Sequence, residues 1–293
     1  MTAGRKCPPY RPGLVCAAIV ALAATAPIAL PSPLAGQEVR RLFPARELLP
    51  SLVAAPRDPV TKAALLYVAD NPDAFGNGVE AEVALGTTLP IYLLAGDSVE
   101  DGLAIGIEGG AFARFGLQVT ERELINTDWI FAVPLIWHHG TSWLRLRYYH
   151  TSSHLGDEYS RRFEVDGENF SRDAVDALGY LRPIPALGLY GGLGFAYNVH
   201  PEDSQRWTVR LGAETAPPND THTLLPYAAI DAQLEQDTGW DPRLALQTGV
   251  WLPRLAGRRA IRLGLELLTG PTPLGQFQGL HTTQLALGLF GNL

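Results

Sequence analysis

The chain has 293 residues, 46% of them hydrophobic and 18% charged, with 30 Gly, 23 Pro and two Cys. This composition excludes low-complexity disorder and a disulfide-dense scaffold, and it requires a fold around substantial apolar surface. The formal net charge of −7 argues against nucleic acid as a partner.

Met1 to Gly13 carries Arg5, Lys6 and Arg11 without an acid, and an apolar run follows from Leu14 to Leu30, broken by Pro27. With the small residues of Leu34-Ala35-Gly36 behind it, this is the layout of a signal peptide over 1–36, cleaved near Gly36. A retained anchor is the rival reading, because the run approaches the length that spans a bilayer. Gln37 stands where a lipoprotein box needs Cys, which excludes acylation there. Cys7 and Cys16 both lie in the leader, so the mature chain has no disulfide, thiolate nucleophile or cysteine metal site. Loss of the three basic residues leaves 20 Lys+Arg against 30 Asp+Glu, a net charge of −10.

Residues 37–59 form an N-terminal segment expected in the periplasm, either as a short helix against the barrel mouth or as a disordered leader. Residues 60–293 then alternate apolar and polar. Val79, Ala81, Val83, Leu85, Leu89, Ile91 and Leu93 keep one parity, with Glu80, Glu82 and Gly86 on the other. Leu144 and Leu146 oppose Arg145 and Arg147, and Leu263, Leu265 and Leu267 oppose Arg262 and Glu266. This is strand periodicity. Turn clusters divide the stretch into about twelve strands, roughly 61–69, 79–95, 102–117, 128–138, 142–152, 173–181, 186–198, 204–214, 223–234, 241–252, 258–269 and 282–292.

A soluble sandwich alternates too, but these strands have the length needed to cross an outer membrane at a tilt. Tryptophans also stand at segment ends, Trp129, Trp207 and Trp240 near one rim and Trp137 near the other. The fold class is therefore all-β, a transmembrane antiparallel up-and-down barrel. Connections 139–141, 182–185 and 253–257 are short and periplasmic, while 153–172 and 270–281 are long and outside. The lumen face mixes signs in Glu108, Arg114, Arg145, Arg147, Arg210, Glu214, Asp231, Glu235, Arg243, Arg262 and Glu266, which lines a narrow pore or closes it with ion pairs.

The densest polar constellation runs from Tyr148 to Tyr159 at the outer end of the fifth strand. His150 and Ser152 are two apart and share a strand face, that of Leu144 and Leu146, which looks at lipid. Such a pair can act as general base and nucleophile in ester hydrolysis, given a third group to orient the imidazole. The alternative is that His150, Ser152, Ser153 and His154 bond one another and pin the loop. Asp157, Glu158, Glu164, Asp166, Glu168, Asp173 and Asp176 make the long loop acidic; Asp157 and Glu158 are the candidate calcium ligands, with a solvated acidic loop as the plainer reading. His138-His139 reads as rim polarity.

The His150-x-Ser152 arrangement resembles that of outer-membrane phospholipase A and the lipid A deacylase barrels. The phospholipase pattern adds an Asn about a dozen residues after the Ser; the nearest here is Asn169, which leaves the orienting member open. The wider stretch Arg145 to Tyr159, together with Leu42 to Ala45 and Leu52 to Pro59, resembles a family of exported bacterial proteins catalogued as a domain of unknown function. That resemblance implies an outer-membrane location. Outer-membrane lipid and lipopolysaccharide are then the expected surroundings, and barrel-assembly machinery the partner during insertion. No cofactor beyond the candidate calcium is expected, and oligomeric state stays open. Three functions remain, in this order: a structural or binding barrel of unassigned role, a lipid esterase using His150 and Ser152, and a narrow small-solute channel.

Overall fold

The computed structural model describes residues 39–43, 48–70, 78–95, 101–118, 123–215, 224–252 and 261–291. The expected signal peptide and its cleavage site lie outside the described residues. A short strand β1 (Val39–Leu42) precedes twelve long ones: β2 (Thr61–Asp70), β3 (Gly78–Ala95), β4 (Gly102–Gly116), β5 (Leu124–His139), β6 (Ser142–Leu155), β7 (Phe170–Ile184), β8 (Leu187–His200), β9 (Trp207–Thr215), β10 (Leu225–Glu235), β11 (Pro242–Trp251), β12 (Ile261–Pro271) and β13 (His281–Gly291). From β2 onward each strand pairs antiparallel with the next, and β13 returns to β2, which closes a barrel of twelve strands. Closure satisfies the backbone of every edge. β1 lies on the end of β3, Val39 opposite Ala95 and Leu42 opposite Tyr92.

The two faces divide by parity. Leu263, Leu265 and Leu267 on β12 and Leu285, Leu287 and Leu289 on β13 stand outward at 42–55% exposure. A contiguous outer belt of this kind is stable against hydrocarbon, not water. The opposite parity is buried and charged. Lys62 reaches Glu266 at 2.8 Å and Glu82 at 3.3 Å, and Arg114 reaches Glu80 at 2.9 Å and Glu82 at 2.8 Å. Glu108, Arg145, Arg147, Glu214 and Arg262 are likewise buried inside, with Arg210 largely so. Trp143 and Trp251 have this inner parity and are buried, whereas Trp129, Trp207 and Trp240 are exposed at the end bearing the long loops.

Small residues on β8 and β9 make room for rings across the interior. A Cβ on Gly188 would lie 1.9 Å from Tyr180 Oη, and one on Gly212 would lie 2.1 Å from the Tyr190 ring. Tyr180 stacks on Trp143 at 4.9 Å, and Leu49 and Leu52 pack into the same cluster.

That last contact corrects the expectation for 37–59. Part of the segment is strand β1, and residues 48–60 run inside the barrel as a plug instead of a helix at its mouth. Pro50, Pro56 and Pro59 preclude a helix, and the apolar side chains between them find cover only among the inner rings. The charged residues of the plug find partners as well. Asp58 faces Arg145, Arg147 and Arg210 at 3.4–3.6 Å. Burial opposes its ionisation, yet the three guanidiniums hold the Asp58 carboxyl down to about 2. Val53 N–H donates to Glu214 at 2.9 Å, and His138 Nε2 lies 2.7 Å from the Leu48 carbonyl. His138 thus holds the plug, a role beyond rim polarity.

Candidate functional site

The constellation of β6 divides between the two faces of the wall. His150 is 43% exposed along its side chain and points outward at the loop end. Its Nδ1 lies 2.8 Å from Asp173 Oδ1 on β7, the residue directly opposite it in register. Asp173 also accepts from Tyr148 Oη at 3.1 Å and from Asn198 Nδ2 at 2.9 Å. Ser152 is two residues beyond His150 on the same parity, opposite Ser171 on β7 and the exposed Trp129 on β5. At about 3.4 Å per residue, the two Cα atoms stand roughly 7 Å apart along one face of β6. His150 Nε2, the nitrogen turned away from Asp173, has no partner among the described residues.

Asn198 reaches Asp173 because of a bulge. Pairing between β7 and β8 shifts between Asp173 and Ala174, so Asp173 opposes Asn198 while Ala174 opposes Ala196. Two successive β8 residues, Tyr197 and Asn198, are thereby left exposed, and Tyr197 stacks on Tyr148 at 6.5 Å. Bulges re-aim side chains in this way beside functional sites.

Asp173 and Asp176, counted from the sequence among the acids of the loop although within the strand read at 173–181, are both residues of β7. Asp176 points inward and pairs with Arg147 at 2.5 Å. Asn169 lies just before β7 and takes no part in the cluster. Neither Asp173 nor Asn198 was a sequence candidate.

Ser153 faces inward and bonds Asn126, Asp128 and Gln276, not His150, Ser152 or His154. Its Oγ donates to Asp128 Oδ1 at 2.5 Å and accepts from Gln276 N–H at 3.1 Å. Gly275 N–H donates to the same Asp128 oxygen at 3.2 Å. Residues 272–280, between β12 and β13, thus fold inward as a lid. Plug and lid are joined: Arg57 pairs with Asp128 at 2.8 Å and donates to the Pro273 carbonyl at 3.3 Å. His154 is exposed. Gly156 passes so close to β5 that a Cβ would lie 1.8 Å from the Leu124 carbonyl oxygen. Beyond it, helix α1 (Asp157–Phe163) buries Tyr159 against Phe277 of the lid, ring centroids 5.5 Å apart.

Asp157 and Glu158 occupy the first turn of α1, and Glu158 pairs with Arg161 at 3.5 Å. No group of three His, Cys, Asp or Glu suited to a metal gathers among the described residues.

A closed twelve-strand barrel with an apolar belt and an ion-paired interior is a barrel of the outer-membrane type. Solved structures agree on that fold: outer membrane phospholipase A from Escherichia coli matches at TM-score 0.53 and 12% identity, over 84% of this chain and 96% of that one. The Salmonella typhi phospholipase dimer with bound calcium matches at 0.55 and 11%, over 82% and 92%. The KdgM porin aligns at 0.44 and 6%, over 80% and 99%. No curated protein matches the chain. By sequence the chain belongs to the family described as Protein of unknown function (DUF1207), whose model matches residues 17–290.

Proposed function

We propose that this protein is exported by its leader, inserted in the outer membrane by the barrel-assembly machinery, and there acts as a lipid esterase at the outer rim. Ser152 is the nucleophile, His150 the general base and Asp173 the group that orients the imidazole. The supporting observation is the 2.8 Å contact between His150 Nδ1 and Asp173, placed on the lipid-facing wall two residues from Ser152. It supplies the third member that this chemistry needs. Nδ1–H is committed to Asp173, which leaves the Nε2 lone pair for the serine proton. Ser152 Oγ attacks the ester carbonyl of a membrane lipid, His150 passes the proton to the departing alkoxide, and water, activated by the same imidazole, releases the acyl group.

The position suits the substrate. Phospholipid or lipopolysaccharide acyl chains lie against the outward leucines, and their ester groups lie near the rim. A standing channel is disfavoured by an interior occupied by residues 48–60 and capped by 272–280.

The test is acyl release from phospholipid and lipopolysaccharide vesicles by the refolded mature chain. Ser152→Ala and His150→Ala are expected to lower release at least about 10³-fold, as loss of a member of a catalytic unit does. Ser153→Ala, which alters only the inward neighbour, retains release. Equal release by wild type and Ser152→Ala, or none from wild type, refutes the reading.

A further inference from the structure

Inside the barrel, between plug and lid, lies a chamber of about 160 Å³, room for roughly ten waters. Its charged walls are the inward parity of the same strands, and Ser152 and Trp129 border it where it approaches the rim site. Arg57, Arg145, Arg147, Arg172, Arg210 and Arg243 line it, interleaved with Asp58, Asp128, Asp176 and Glu235. Most of these charges pair closely. Arg147 meets Asp176 at 2.5 Å, Arg210 meets Asp231 at 3.2 Å, and Arg243 meets Glu235 at 3.1 Å.

Arg145 is the exception. It is 1% exposed, yet its nearest carboxylates, Asp58 and Asp176, stand at 3.6 and 3.7 Å, beyond hydrogen-bond distance. Its Nε and Nη2 have no hydrogen-bond partner, nor do Nε of Arg172 or Oδ1 of Asp176. Buried polar groups are rarely left so. Three nitrogens lacking an acceptor and one carboxylate oxygen lacking a donor, Arg145 Nε and Asp176 Oδ1 facing each other at 3.7 Å across the gap, all come from walls of one chamber and describe the complement of a ligand.

We propose that this chamber binds a small hydroxylated monocarboxylate. A planar carboxylate matches the fork of a guanidinium and offers the acceptors that Arg145 and its neighbours lack. A hydroxyl supplies the donor for Asp176. A phosphate dianion fits less well, since four carboxylates share the lining and repel a second negative charge. A neutral polyol satisfies Asp176 but leaves the buried guanidiniums without a charged partner.

The experiment is calorimetric titration of the refolded full chain in detergent micelles with glycerate and with gluconate. Glycerol and sorbitol serve as neutral counterparts, and inorganic phosphate as the competing anion. At least one carboxylate is expected to bind saturably while its polyol does not. Binding weakens at least about tenfold in Arg145→Lys, which keeps the charge but loses the planar fork. Arg172→Gln, on the chamber wall and without contact to Asp58, gives the same loss should Arg145→Lys fail to show the heat-shifted gel band of a folded barrel. Four results overturn the proposal: no binding of either carboxylate, equal binding of acid and polyol, binding of phosphate alone, or unchanged carboxylate binding in both variants.

Discussion

Asp173→Ala lowers lipid hydrolysis by roughly 10²–10⁴-fold, the range that positioned acid–base catalysis contributes, while the barrel keeps its heat-modifiable gel migration. The carboxylate holds His150 Nδ1 at 2.8 Å and is itself held by Tyr148 and Asn198. Its removal frees the ring to rotate and leaves the imidazolium formed during attack without a counter-charge. Because the cluster sits outside the packed interior and the strand pairing that closes the barrel does not depend on it, loss of rate and loss of structure separate. Acyl release and gel migration of the same preparation check this. Asn198→Ala removes one restraint on Asp173 and gives a smaller loss in the same direction. A rate unchanged in Asp173→Ala contradicts the assignment of the orienting role.

The second large effect concerns the plug. Removal of residues 49–58 opens conductance across planar bilayers where the intact chain shows none, because the inner rings and the guanidiniums of Arg145, Arg147 and Arg210 lose the segment that fills the space between them. Asp58→Ala has the same direction. It leaves three buried cations short of one shared anion, and breaking a buried pair costs about 3–5 kcal/mol. Asp58 is held below its ordinary 3.8, at about 2. Its stabilisation of the plug is therefore complete above pH 3.8 and is lost as the pH falls through about 2. Acidification of the wild type through that window opens it, and restoration of neutral pH closes it. Conductance indifferent to both the deletion and the pH would show that the plug seals nothing.

How legible these features are in the sequence follows from their periodicity. The strands could be read because outward leucines and inward charges alternate with few interruptions; β12, with Arg262 and Glu266 between Leu263, Leu265 and Leu267, is the clearest case. The placement of His150 and Ser152 on the outer wall follows from the same parity. The plug could not be read, because Leu49-Pro50-Ser51-Leu52-Val53-Ala54-Ala55-Pro56 has no period and its partners lie on strands far along the chain. Asp173 escaped because its contact with His150 depends on the register across the 156–169 connection, which local pattern does not set. Asn198 escaped because the bulge beside it breaks the alternation. The acidic character of the loop concealed Asp173 and Asp176 further, since an acid beside a loop reads as solvated until its strand partner is known.

The claim that Ser152 is a nucleophile activated by His150 is tested most directly by covalent labelling. The folded chain in detergent micelles is incubated with a long-chain alkylsulfonyl fluoride, and the adduct is located by peptide mass. The account predicts one sulfonyl adduct at Ser152, absent from His150→Ala and slowed in Asp173→Ala. No adduct on the folded wild type, or one at Ser152 that forms as fast without His150, would contradict it.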